Sequence, residues 1–128
     1  MWKVILADDE QVILNGLKKL LDWNALGAEI IGAALDGKSL LEEIKANEPD
    51  IVISDIKMPG MSVLDVIKSC SQWSRAPKFI FISGYEEFAY ARDAASYGAV
   101  DYLLKPVGIE DFENAVKKAI SQIEDKNT

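Results

Sequence analysis

The sequence contains no histidine and only one cysteine. The first absence excludes a Ser-His-Asp triad, a histidine-ligated zinc site and any role as a phosphohistidine carrier. The second excludes an internal disulfide and fits a reducing, cytoplasmic setting. The lone thiol, Cys70, falls in a stretch of helical spacing, where a small core or boundary residue is expected rather than a reactive nucleophile. No apolar run approaches the roughly 20 residues needed to cross a bilayer, so no membrane association is expected. The opening residues Met1-Trp2-Lys3-Val4 enter a strand pattern directly, without the layout of a secretory signal. Basic residues are also in deficit, 14 Lys+Arg against 21 Asp+Glu, giving a net charge of -7 and a pI near 4.6. An acidic surface repels phosphate backbones, so these residues are not expected to bind nucleic acid directly. Chemistry is left to carboxylates, hydroxyls, lysines and a bound metal.

What is present is the composition of one ordinary soluble domain: 128 residues, 49% hydrophobic and 27% charged. Five short apolar or β-branched runs recur, at Trp2-Ala7, Glu29-Ala33, Ile51-Ser54, Phe79-Ser83 and Val100-Leu104. Segments of helical spacing follow them. Ile13, Leu14, Leu17, Leu20 and Leu21 form one stripe, and Leu40, Leu41 and Ile44 a second. Leu64 and Ile67, with Val63 and Val66 beside them, give a third. Phe88, Ala91, Ala94 and Ala95 give a fourth, alanine-rich one. The cleanest stripe is the last: Phe112, Ala115, Val116, Ala119, Ile120 and Ile123. Ser62 suits an N-cap and Gly98 a left-handed helix stop. Runs such as Ile51-Val52-Ile53 are apolar throughout, as central parallel strands covered on both faces should be. The pattern predicts a (βα)5 unit over residues 1–123, with right-handed crossovers and helices on both sides of a parallel sheet. Residues 124–128 read as a polar tail or the start of a linker.

In a parallel α/β sheet the strand ends share one edge, and ligands gather there. Asp8 and Asp9 close the first run, Asp55 closes the third, and Lys105 follows the fifth, directly before Pro106. Carboxylates gathered in one pocket repel each other unless a cation intervenes. A hard, all-oxygen donor set without soft ligands suits Mg2+ better than zinc. Asp55, on a rigid strand end before the loop Ile56-Lys57-Met58-Pro59-Gly60, suits a nucleophile for phosphorus, forming an aspartyl phosphate. Alone it would better suit a helix cap or a turn, and Asp8 or Asp9 alone would suit a cap of the helix starting near Gln11. Lys105 would pair with Asp55 at rest and with phosphoryl oxygens afterwards, and its peptide bond to Pro106 is a candidate for cis. Ser83, ending the fourth run, suits a hydrogen bond to a phosphoryl oxygen or the start of a helix. Tyr102, on the fifth run, suits core packing or a switch role. Tyr85, Phe88, Tyr90 and Tyr97 make the neighbouring region aromatic.

Four segments, in order and at strand ends, carry a specific resemblance: Val4-Ile5-Leu6-Ala7-Asp8-Asp9-Glu10, Asp55-Ile56-Lys57-Met58-Pro59-Gly60-Met61, Ile82-Ser83-Gly84-Tyr85, and Gly98-Ala99-Val100-Asp101-Tyr102-Leu103-Leu104-Lys105-Pro106. Over about Lys3 to Ile123 the chain resembles the receiver domain of two-component response regulators. The resemblance implies a flavodoxin-like fold with strand order 2-1-3-4-5. It implies Asp55 as phosphoacceptor, Asp8 and Asp9 as the metal-binding pair, and the main-chain carbonyl of Lys57 as a further metal ligand. It implies Ser83 and Lys105 as phosphoryl contacts and Tyr102 as the switch aromatic. The phosphodonor would be a histidine kinase, and the domain would catalyse only its own phosphorylation and dephosphorylation. A homodimer would form through the face of the fourth helical segment, the fifth strand and the last helix.

The chain departs from the family pattern at Met61-Ser62-Val63, where Met-Asp-Gly is common, and at Gly108, where a polar cap is usual. Leu21-Asp22-Trp23-Asn24-Ala25-Leu26-Gly27 and Ser83-Gly84-Tyr85-Glu86-Glu87-Phe88-Ala89-Tyr90-Ala91 resemble receivers attached to AraC-type helix-turn-helix effectors. DNA would then be bound only through such an effector. Rival readings are a small magnesium-dependent aspartyl phosphatase and a receiver-like interaction module that is never phosphorylated. A flavodoxin-type cofactor binder fits least, because no Gly/Ser/Thr-rich phosphate loop follows the first run.

Overall fold

The apolar runs pair into one parallel sheet of β1 (Trp2–Ala7), β2 (Ala28–Ala34), β3 (Ile51–Asp55), β4 (Lys78–Ser83) and β5 (Asp101–Leu104), ordered β2-β1-β3-β4-β5. The computed structural model describes residues 1–84, 93, 96 and 98–127. Around the sheet lie α1 (Gln11–Leu20), α2 (Gly37–Asn47), α3 (Val63–Ser71) and the C-terminal helix (Ile109–Asn127).

Successive residues of a strand point to opposite faces, so a strand buried on both sides is apolar over most of its length. Here Val4, Leu6, Ile51, Ile53, Ile80 and Ile82 pack on one face with Leu14 and Leu17 of α1 and Phe112, Ala115, Val116 and Ala119 of the C-terminal helix. Ile5, Ala7, Val52, Phe79 and Phe81 pack on the other with Leu40 and Ile44 of α2 and Val63, Val66, Ile67 and Cys70 of α3. The stripe of α3 thus runs through both valines and Cys70, and Leu64 sits at its margin, half-buried.

Local signals act where the sequence places them. The Ser62 hydroxyl accepts the Leu64 N–H at 3.1 Å and caps α3. Gly98 has a φ of 92°, the left-handed conformation that a side chain disfavours. The polar residues 124–127 form the last turn of the C-terminal helix. The alanine-rich segment around Phe88 to Ala95, with Tyr85, Tyr90 and Tyr97, lies outside the described residues apart from Asp93, which is helical. Among the described residues, no helix is long and apolar enough to cross a membrane.

Candidate functional site

Strand register brings the predicted residues to one edge. Ala7 pairs with Ser54, Asp55 with Ile82, and Ser83 with Leu104, so Asp8, Asp55, Ser83 and Lys105 all leave the sheet on the same side. Main-chain bonds extend the ladder past the strand ends. The Asp8 N–H donates to Ala34 O (3.1 Å), Ile56 N–H to Ile82 O (2.9 Å) and Lys105 N–H to Ser83 O (2.9 Å). These residues are therefore fixed by the sheet, as precise chemistry requires.

Lys105 binds the acids together. Its Nζ donates to Asp55 Oδ2 at 2.8 Å and lies 3.5 Å from Asp8 Oδ2. The peptide bond between Lys105 and Pro106 is cis. Asp55 is 5% exposed, and its other oxygen, Oδ1, accepts the Lys57 N–H at 3.1 Å. Asp8 is 1% exposed, and its Oδ1 accepts the Glu10 N–H at 2.9 Å. Asp8 Oδ2 has no hydrogen-bond partner among the described residues and meets only the more distant Lys105 ammonium.

Charge in this setting is strained. Burial pushes the Asp8 carboxyl from 3.8 up to about 6; the Glu10 N–H opposes the rise, while the Asp55 charge adds to it. Burial works against the Lys105 ammonium, but the hydrogen bond and charge of Asp55, then Asp8, more than offset it and hold its pKa above the usual value. Two carboxylates share one ammonium, so the group carries surplus negative charge.

Asp9 is exposed at the mouth, where Asp9, Asp55, Lys57, Met58 and Pro59 line an open cleft. Oxygens of Asp8, Asp9 and Glu10 lie within 4.8 Å of one another. The tight carboxylate group therefore includes Glu10, which the sequence reading did not single out although its acidic neighbours were the cue. Asp55 stands outside that group; it meets Asp9 across the cleft and Asp8 through Lys105. An orphaned buried carboxylate oxygen, an all-oxygen donor set and an adjoining open cleft fit a hard divalent cation.

Ser83 is fully buried, and its Oγ has no hydrogen-bond partner among the described residues. Tyr102 is half-buried, pairs in register with Phe81 and packs against the cluster shared by α2 and α3. Cys70 lies apart from the site; burial raises its thiol to about 11, which keeps it protonated and inert at neutral pH.

Comparison with known proteins agrees with this arrangement. The family model of the response regulator receiver domain matches residues 4–117. The uncharacterized transcriptional regulatory protein YesN of Bacillus subtilis is 42% identical over 123 residues, 96% of this chain and 33% of that protein. The transcriptional regulatory protein HptR of Staphylococcus aureus is 35% identical over 113 residues, 88% of this chain and 44% of that protein. The chain thus spans between about a third and a half of these relatives. Among solved structures, the REC domain of AraT, a response regulator from Geobacillus stearothermophilus, superposes with a TM-score of 0.92 at 34% identity, covering 99% of this chain and 98% of that one. The sheet order, the acidic edge and the family match converge: this chain belongs to the response regulator receiver domains.

Proposed function

We propose that Asp55 is the phosphoacceptor of a switch that governs a transcriptional output. The observation that carries this reading is the position of its carboxylate, fixed at the end of β3, held by Lys105 at 2.8 Å and open to the cleft it shares with Asp9 and Lys57. The donor is a sensor histidine kinase. One Asp55 oxygen attacks phosphorus, the P–N bond of the donor phosphohistidine breaks, and the leaving imidazole takes a proton. Asp8, Asp9, Asp55 and the Lys57 main-chain carbonyl would hold Mg2+, which when bound neutralises charge on the transferring phosphoryl group. Catalysis by the domain is confined to gaining and losing its own phosphoryl group.

Phosphorylation adds charge next to Lys105 and offers the buried Ser83 hydroxyl an acceptor oxygen. The ammonium exchanges its Asp55 partner for phosphoryl oxygens, and movement of Ser83 opens space for Tyr102 beside β4. This biases a two-state equilibrium of the surface around β5. The exposed Leu104 borders a cavity between β5 and the C-terminal helix, and the exposed Ile109 opens that helix, which supports that face as the site of homodimer contact. The receiver spans residues 1–123, residues 124–128 begin the connection to a DNA-binding effector, and the protein works in the cytoplasm.

Intact-mass measurement with a small acyl phosphodonor tests the assignment. The wild type is expected to gain one phosphoryl group only when Mg2+ is supplied, and Asp55→Asn none. Phosphorylation of Asp55→Asn at the wild-type rate would show that another residue is the acceptor. Repeated release of inorganic phosphate from a simple phosphate ester would point instead to a phosphatase.

A further inference from the structure

Two glycines near the site are required for opposite reasons. Gly60, in the loop after β3, has a φ of 77°, and a Cβ there would meet nothing within 4 Å. It supplies conformation. Gly37, the first residue of α2, is buried and lies outside the left-handed region, yet a Cβ there would stand 1.9 Å from Met61 O, 2.8 Å from Met61 C and 3.2 Å from Met61 Cβ. It supplies space. The obstructing atoms are mainly backbone, so no change of rotamer relieves the clash.

Met61 is the far end of the loop that lines the cleft. The near end is anchored by the buried Ile56, whose N–H bonds Ile82 O at 2.9 Å. Beyond Met61, Ser62 caps α3 and Val63 is fully buried. Between these anchors run Lys57, Met58 and Pro59, which border Asp55 and Asp9. Gly37 is itself held in place, because Asp36 accepts the Ser39 N–H at 2.7 Å and Ala34, just upstream, accepts the Asp8 N–H at 3.1 Å. The turn from β2 to α2 thus touches both walls of the cleft: the acidic wall through Ala34 and the Lys57–Met61 wall through Gly37.

We infer that Gly37 is a positioning residue for the phosphorylation site: by having no side chain, it seats the Met61 main chain against α2 and sets the distance of the Lys57–Pro59 loop from Asp9 and Asp55. It touches neither metal nor phosphoryl group. The inference rests on the proposed metal-binding role of the Lys57 carbonyl, and the test separates the two. In the intact chain, Gly37→Ala is compared with wild type and with Gly16→Ala, a helical glycine whose added Cβ meets nothing within 4 Å.

Amide NMR shifts of Lys57, Met58, Gly60 and Met61 are read without metal, and Mg2+ affinity is read by calorimetry. Gly37→Ala is expected to move those amides and to weaken Mg2+ binding by about tenfold or more, as loss of a supporting contact around a metal site does. Gly16→Ala should leave both at wild-type values. Unmoved loop amides, or moved amides with unchanged affinity, would overturn the inference. If wild type itself binds no Mg2+, the metal assignment fails and the loop amides alone judge Gly37. Should Gly37→Ala not fold, both readings are taken on the same variant in the stabilised Gly16→Ala background with trimethylamine N-oxide added, against Gly16→Ala in the same buffer; loop amides and affinity equal to that reference would overturn the inference.

Discussion

A carboxylate exposed to only 1% is an expensive anion, and Asp8 shows the cost in a pKa near 6. The unfolded chain gives up this proton near 3.8, whereas the fold retains it to about 6. Stability from the retained proton is complete below about 3.8 and is lost as pH rises through about 6. Asp8→Asn keeps the shape and removes the charge. In EDTA, urea unfolding at pH 8 should show this variant more stable than wild type by about 1–3 kcal/mol, with the gap closing towards pH 4. Equal stabilities at pH 8 would mean that Asp8 bears no such burden. On the proposed metal-binding role of Asp8, Mg2+ affinity should move the opposite way and fall. Asp8, Asp9, Asp55 and Lys105 were legible in the sequence because each ends an apolar run or directly follows one. Glu10 was harder to see, since an acid at the start of a helix has an ordinary explanation. Gly37 was invisible, because a steric requirement depends on Met61, a residue distant in sequence that only the fold brings near.

At the scale of elements, caps and glycines set small, separable contributions. Gly16 lies exposed in the middle of α1, with open space where a Cβ would stand. Gly16→Ala should therefore stabilise the protein by about 0.5–1 kcal/mol. Ser62→Ala removes the bond to the Leu64 N–H and should destabilise it by about 1 kcal/mol. Urea titration of both variants checks the pair, and the reverse order would contradict the described geometry. Strand positions were readable because the buried strands hold unbroken apolar runs, Ile51–Ile53 in β3 and Phe79–Ile82 in β4, before their polar ends. Helix faces were less so: in α3 the buried row passes through Val63, Val66, Ile67 and Cys70, and Leu64, hydrophobic as it is, takes the margin. The end of α2 carried no glycine signal, because Glu48 adopts the left-handed conformation itself, at a φ of 46°. The C-terminal helix runs on through 124–127, where polar composition suggested a tail, because i→i−4 bonds need no apolar face for a single added turn.

Across the whole molecule, two cores on opposite faces of one sheet keep the acidic edge rigid. Phe112, fully buried, ties the C-terminal helix to the first of them and meets Trp23 edge-on, with ring centroids 5.6 Å apart and planes at 82°. Phe112→Ala should cost about 3–5 kcal/mol, a large share of the stability of a domain this size. Trp23 emission should report the change, shifting to the red as its ring meets water. An unshifted spectrum with wild-type stability would contradict the packing. The far pole is tied separately. Asp50 accepts the Lys3 N–H and the Arg75 guanidinium, both at 2.8 Å, beneath the starts of β1, β3 and β4.

The isolated, protonated thiol of Cys70 gives the molecule a practical property. Because that sulfur is sealed in the interior, a maleimide dye offered at neutral pH should find no native attachment point among the described residues. A single cysteine introduced at an exposed position such as Lys38 would take the label alone, and the domain could be followed optically with its native sulfur left in place.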